Sequence, residues 1–121
     1  VQCMSIIRDA PAGFLVISGD DPITLRFMAM GMQGVISVVG NAYPKDFSNM
    51  VRESLQHQFS TANPLHYKLL DFTELIFKEG SPAGVKYALK KLGVCGDKVR
   101  LPLWKISDGL EKQLDDCMGK M

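Results

Sequence analysis

Two short apolar runs constrain the fold of this chain more than any other feature of its sequence. Residues 14–18 read FLVIS and residues 34–39 read GVISVV. Neither run alternates polar and apolar side chains, which is typical of strands buried on both faces of a parallel sheet. The fifteen residues between them, 19–33, are enough for the helical crossover that joins two parallel strands. The sequence therefore predicts a strand–helix–strand unit.

The crossover is predicted to be a helix over residues 22–32. Asp21 suits the N-cap position, and Pro22 suits the first helical position because its fixed φ is already helical. The buried face of this helix is predicted to carry three apolar residues, Ile23, Phe27 and Met30.

The rest of the chain predicts helices and little else. Apolar residues at helical spacing predict helices over residues 44–58, from about 60–64 onward, over 82–92, and after Ser107. The predicted apolar stripe of the second of these helices consists of Leu65, Leu69, Phe72 and Ile76. Pro64 is compatible only with a first helical turn. Ser81 is predicted to cap the helix that starts at Pro82, and Gly93 to end it. Ser107 is predicted to cap the last helix.

The two predicted strands lack partners. An isolated pair of parallel strands is not expected to be stable in water, and only residues 99–103 are otherwise extended, with Pro102 among them. Residues 1–10 already have the pattern of a helix end, and the chain begins with Val1. We therefore expect either a piece of a larger α/β barrel or sheet, or a chain that self-associates to cover its edges.

Charge and cysteine content narrow the class of function. A net charge of +1 in 121 residues shows no bias toward nucleic acid or an anionic membrane. The three cysteines, Cys3, Cys95 and Cys117, are scattered without a CxxC motif and indicate reduced thiols in a cytoplasmic protein. His57 and His66 have no partners at ligand spacing, so neither a metal site nor a catalytic histidine is predicted.

Polar residues that could carry chemistry follow the predicted strands. Gly19 and Asp21 come directly after the first, at the carboxyl end, where barrels and open sheets bind ligands. Taken as a bare motif, the sequence favours Asp21 as an N-cap alone, with Asp20 as a solvated loop residue. Ser37, on the second strand, could face a ligand or form a hydrogen bond within the protein interior; the residues alone do not decide between these.

Five motifs in order carry a resemblance to a known family. They are SGDD at 18–21, GVISVVGN at 34–41, YPKDF at 43–47, EGSPAGVKYAL at 79–89 and VRLPL at 99–103. Together they resemble the C-terminal part of the dihydrodipicolinate synthase and N-acetylneuraminate lyase family of pyruvate-dependent aldolases.

The resemblance implies a (β/α)8 TIM barrel. Residues 1–58 would be the end of the barrel, with its seventh and eighth strands, and residues 59–121 a C-terminal helical extension. Family members form a Schiff base between pyruvate and a lysine on the sixth strand, which would lie outside this chain, and they need no other cofactor. The family also implies a homo-oligomer, either a dimer or a tetramer.

The resemblance also carries over four residues. Gly19 and Ile36 match positions that line the pyruvate site, while Asp21 and Ser37 match positions that contact sugar acids in the lyase relatives. No catalytic residue and no metal ligand is expected in this chain. The implied reaction condenses pyruvate with aspartate semialdehyde in lysine biosynthesis; the alternatives are another pyruvate-dependent aldolase of the family or a self-associating helical module.

Overall fold

The computed structural model describes all residues, 1–121, and contains seven α-helices. A 3-10 helix, Asp21–Ile23, leads directly into the second of them. The α-helices are α1 (Gln2–Asp9), α2 (Thr24–Ala29), α3 (Val39–Ala42), α4 (Pro44–Leu55), α5 (Phe59–Phe77), α6 (Ala83–Lys91) and α7 (Asp108–Met118). None of them has the length and apolar character that crossing a membrane requires.

The two predicted strands are reduced to a single parallel bridge between Ser18 and Val35. The Ser18 N–H donates to the Gly34 carbonyl at 2.8 Å, and the Ile36 N–H donates to the Ser18 carbonyl at 2.9 Å. The predicted parallel direction is confirmed, but the predicted strand lengths are wrong. One further backbone bond, from the Gln33 N–H to the Val16 carbonyl at 2.9 Å, lies beside the bridge, but no longer strand forms, and Val39 already begins α3.

The crossover helix is shorter than predicted and buries a different face. It ends at Ala29, and the predicted face is only half-buried. Because its first turn is a 3-10 helix, with about three residues per turn, the register of the following residues rotates relative to a continuous α-helix. The side chains that face the core are Leu25, Met28 and Met32.

The predicted apolar stripe is mostly buried in α5, whereas Leu55 and Leu92, predicted for the stripes of α4 and α6, are exposed. In α5, Leu69, Phe72 and Ile76 are buried as expected. The helix begins five residues before Pro64, however, so the proline lies inside the helix rather than in its first turn. α6 begins at Ala83 without a side-chain cap, so the expectation that Ser81 caps it was wrong.

One hydrophobic core runs through both predicted parts of the chain. Sixteen buried apolar residues form a single cluster, which extends from Leu25 and Val39 to Leu110 and Leu114. α5 lies at its centre and contacts α4, α6 and α7. The division at residue 58 therefore does not separate two independent cores.

Exposed apolar side chains concentrate on α1 and the paired segments. α1 buries no residue in this chain. We call the following set the uncovered face: Met4, Ile6, Phe14, Leu15, Ile17 and Ile36. A second exposed apolar group lies in residues 92–104. Large exposed apolar surfaces mark places where a protein contacts something else.

Candidate functional site

The parallel bridge brings the two candidate wall residues to the same end of the paired segments. Gly19 directly follows Ser18, and Ile36 directly follows Val35, the bridged pair. In parallel segments both carboxyl ends point the same way, so the two residues emerge side by side. This is the end at which α/β barrels build their sites.

Gly19 and Ile36 both face outward. Ile36 is 75% exposed, and a Cβ added to Gly19 would meet no atom within 4 Å. Nothing within this chain therefore requires a glycine at position 19 or an isoleucine at position 36. The space beside them is open to a ligand or to another segment of protein.

Asp21 faces inward instead. Its side chain is only 4% exposed, and its Oδ2 accepts hydrogen bonds from the Val38 N–H at 2.8 Å and the Val39 N–H at 3.0 Å. Its Oδ1 is buried without a hydrogen-bond partner. The prediction that Asp21 caps the crossover helix is wrong. Its carboxylate instead binds the N–H groups at the start of α3, seventeen and eighteen residues further along the chain.

A second set of buried polar contacts holds the loop that contains Gly19. The Ser18 hydroxyl lies 3.2 Å from the Thr24 hydroxyl, and both side chains are buried. Thr24 Oγ1 donates to the Asp20 carbonyl at 2.8 Å, while the Asp20 N–H donates to Ser18 Oγ at 3.1 Å. These bonds fix the backbone on both sides of Gly19.

Ser37 forms a local hydrogen bond. Its Oγ accepts from the Gly40 N–H at 2.8 Å, which supports the first turn of α3. The internal hydrogen bond, one of the two roles that the sequence left open, is therefore present, and a contact of Ser37 with a ligand stays a prediction. Asn41, just beyond, donates from Nδ2 to the Val38 carbonyl at 3.0 Å.

Sequence reasoning missed Ser18 and Thr24 as supports of the site. Both are hydroxyl side chains that are buried and hydrogen-bonded to the loop between them. A signal was present, since Ser18 ends an apolar run and a hydroxyl in that position must find a partner if it is buried.

Elsewhere the chain offers neither a metal-binding cluster nor a histidine site. No group of three or more His, Cys, Asp or Glu side chains lies close enough to hold a metal ion. Burial, and to a lesser extent the charge of Arg26, lowers the pKa of His66. A cavity of about 800 Å³ lies between α5 and α7 and contains none of the predicted site residues. Six charged side chains contribute to its lining: Lys68, Asp71, Glu74, Lys78, Asp116 and Lys120.

Comparison with known proteins decides the family. The model of the Dihydrodipicolinate synthetase family matches residues 1–120. This chain belongs to that family. A 4-hydroxy-tetrahydrodipicolinate synthase from Flavobacterium psychrophilum is 50% identical over 115 residues, which cover 95% of this chain and 39% of the relative.

Solved structures of family members match the fold closely. The dihydrodipicolinate synthase of Aquifex aeolicus is 37% identical with a TM-score of 0.94, and the match covers 98% of this chain and 40% of that one. The chloride-inhibited dihydrodipicolinate synthase of Acinetobacter baumannii, complexed with pyruvate, is 27% identical with a TM-score of 0.91, covering 97% and 40%. These neighbours are TIM-barrel enzymes. The chain thus spans about two fifths of the length of its relatives.

Proposed function

We propose that this chain is the C-terminal part of a 4-hydroxy-tetrahydrodipicolinate synthase, a lyase that condenses pyruvate with aspartate semialdehyde in lysine biosynthesis. The observation that carries the proposal is the 50% identity to an enzyme of that name over 95% of the chain. A cytoplasmic enzyme without nucleic-acid or membrane partners is in keeping with the near-neutral net charge.

In this proposal Gly19 and Ile36 form one wall of the pyruvate site. Both face outward at the carboxyl end of the paired segments, and no other side chain of this chain fills the space beside them. A relative with the same fold binds pyruvate, as its structure in complex with that ligand indicates. An isoleucine side chain beside a glycine backbone offers an apolar contact for the pyruvate methyl group and access to backbone groups.

The nucleophile of the reaction lies in the part of the barrel that this chain does not contain. A Schiff-base lysine must be held in a desolvated pocket or beside another cation, so that its amine is neutral often enough to attack a carbonyl. Lys45, the first lysine after the paired segments, is exposed in the first turn of α4. Lys86 is half-buried, but its Nζ donates to the Lys98 carbonyl. We assign the catalytic role to neither.

The uncovered face supports the same proposal. In a complete (β/α)8 barrel, every strand has a neighbour on each side, and helices cover the strands from outside. The side chains of Phe14, Leu15 and Ile17, exposed here, would then contact the remaining six strands and their helices. The assembled enzyme is proposed to be a homo-oligomer, either a dimer or a tetramer.

Pyruvate trapping tests the proposal. The 121-residue chain and the full-length protein that carries it are each incubated with pyruvate and borohydride, and their intact masses are measured. We expect a reduced adduct on the full-length protein only. An adduct on the 121-residue chain would show that one of its own lysines is the nucleophile. Turnover of N-acetylneuraminate, but not of aspartate semialdehyde, would favour the lyase-like alternative.

The uncovered face also favours a second behaviour, self-association of the chain when it is produced alone. Six large apolar side chains, each at least 45% exposed, make up this face. Burial of such surfaces between copies is favourable at roughly 25 cal/mol per Å². Light scattering should report a mass that rises with concentration; a monomer at high concentration would contradict this.

A further inference from the structure

The carboxylate of Asp21 ties together the two loops that carry the candidate wall residues. Asp21 lies two residues after Gly19, and the amides that it binds, those of Val38 and Val39, lie two and three residues after Ile36. Hydrogen bonds from backbone N–H groups to a carboxylate are short and strong because the acceptor is charged. A shift of either loop must therefore stretch or break these bonds.

Asp21 is closed to any ligand in the space beside Gly19. The side chain is 4% exposed, and its second oxygen is sealed inside the protein without a partner. Ile36, on the loop that Asp21 holds, is instead among the most exposed apolar side chains of the chain. The Asp21 carboxylate therefore cannot touch a ligand in this space, whereas the Ile36 side chain can.

The hydroxyl groups of Ser18 and Thr24 hold the other side of the same loop. They bind the backbone of Asp20, while Asp21 is bound to the start of α3. The loop is therefore fixed at both ends by buried side chains. Such inward support is what a binding wall requires, since displacements of about 1 Å can cost large factors in rate.

We propose that Asp21 is a positioning residue for the pyruvate site, which acts through the Val38 and Val39 amides to hold Ile36 in place and does not touch the substrate. The identity of the ligand rests on the proposed function. The hydrogen-bonded clamp itself is a property of this chain and is tested without any ligand.

Amide hydrogen exchange of the 121-residue chain tests the clamp directly. Asp21→Asn keeps one acceptor oxygen but loses the charge, whereas Asp21→Ala leaves both amides without an acceptor. Asp20→Asn is the matched control, because the Asp20 side chain is exposed and makes no hydrogen bond. We expect exchange at Val38 and Val39 to accelerate about tenfold or more in Asp21→Ala, by less in Asp21→Asn, and not in Asp20→Asn. Unchanged exchange in Asp21→Ala, or equal acceleration in the control, overturns the proposal.

Kinetics of the full-length enzyme test the consequence for the site. If Asp21 positions the wall, Asp21→Ala raises the KM for pyruvate by about tenfold or more while kcat changes less, and Asp21→Asn restores part of the loss. A fall in kcat with an unchanged KM for pyruvate overturns the positioning role. If the full-length protein does not react with pyruvate, the proposed function fails, and the exchange rates remain the test of the clamp.

A structure of the wild-type full-length enzyme with pyruvate bound tests the proposal without any substitution. We expect the Asp21 carboxylate to stay on the Val38 and Val39 amides, beyond hydrogen-bond distance from pyruvate. A hydrogen bond between this carboxylate and the ligand overturns the proposal.

Discussion

Gly84 permits the close packing of α6 against α5, and its replacement by alanine should be strongly destabilising. A Cβ at this position would lie 2.3 Å from the Ile76 carbonyl oxygen and 2.8 Å from the Ile76 Cα and carbonyl carbon. An ordinary contact between such atoms is about 3.5 Å, so the two helices must separate by roughly 1 Å. The clash is with backbone, which no change of side-chain rotamer can relieve.

The expected loss in the free energy of unfolding is the difference between the cost of overpacking and the gain in helix propensity. Overpacking of a core costs about 1–3 kcal/mol and occasionally more, and contact with a helix backbone places this case at or above the top of that range. Separation of the helices also loosens Phe72, Ile76 and Ala88, which are almost fully buried. The intrinsic preference of a helix for alanine over glycine returns about 1 kcal/mol. We expect a net loss of about 2–3 kcal/mol for Gly84→Ala.

Thermal unfolding followed by circular dichroism measures this loss. At about 2.1 cal/mol/K per residue, the unfolding entropy of 121 residues is roughly 0.25 kcal/mol/K, so Tm should fall by about 8–12 °C. Each variant should be measured at several concentrations, because self-association raises apparent stability.

Gly109→Ala is the matched control. Gly109 lies in α7, and a Cβ there would meet only the Ser107 hydroxyl, at 3.8 Å. Because the added Cβ makes only an ordinary contact and alanine has the better helix propensity, the free energy of unfolding should stay level or rise by up to about 1 kcal/mol. Tm should accordingly stay level or rise. Equal Tm values for the two variants would refute the argument from the close approach at Gly84.

Two contacts of α7 give further predictions. Tyr87→Phe removes the hydrogen bond from the phenol to the Asp115 carboxylate, 3.0 Å long, and should cost about 1 kcal/mol in urea unfolding. Burial, together with that hydrogen bond and the Asp115 charge, raises the pKa of Tyr87 from 10.0 to about 12. The wild-type chain should therefore lose stability between pH 10 and 12, as the unfolded chain ionises and the folded chain does not, and Tyr87→Phe should show a smaller loss in that window. Ser107→Ala removes the cap on the Leu110 N–H and also the hydrogen bond from the Ser107 hydroxyl to the Glu79 carboxylate, and should cost about 1–2 kcal/mol. Ser60→Ala, at an exposed hydroxyl without a hydrogen bond, should cost less than half as much.

Local pattern predicted the helices well where the chain itself supplies their partners. The stripe of Leu69, Phe72 and Ile76 was readable because α5 buries it against other helices of the same chain. Ser107 was readable as a cap because its hydrogen bond to the Leu110 N–H spans only three residues. Both signals need no knowledge of distant segments.

The failures have the opposite origin. Residues 14–18 have the composition of a buried strand, yet Phe14 and Leu15 are exposed and only Ser18 is bridged, because a strand requires neighbours that these 121 residues do not supply. Asp21 has the residue type of an N-cap, but its partners lie seventeen and eighteen residues away. Local spacing cannot distinguish a cap for the next helix from a cap for a later one.

The candidate site combines both kinds of information. Ile36 was predicted from family resemblance alone, whereas Gly19 was also indicated by its position directly after the first predicted strand. The structure adds that these two residues lie side by side and face outward. The polar residues beside them, Asp21 and Ser37, accept hydrogen bonds from backbone amides. A buried carboxylate that binds backbone amides fixes the positions of the neighbouring residues. In the proposed enzyme, whose nucleophile would lie outside these 121 residues, that geometry would be the contribution of this chain to the pyruvate site.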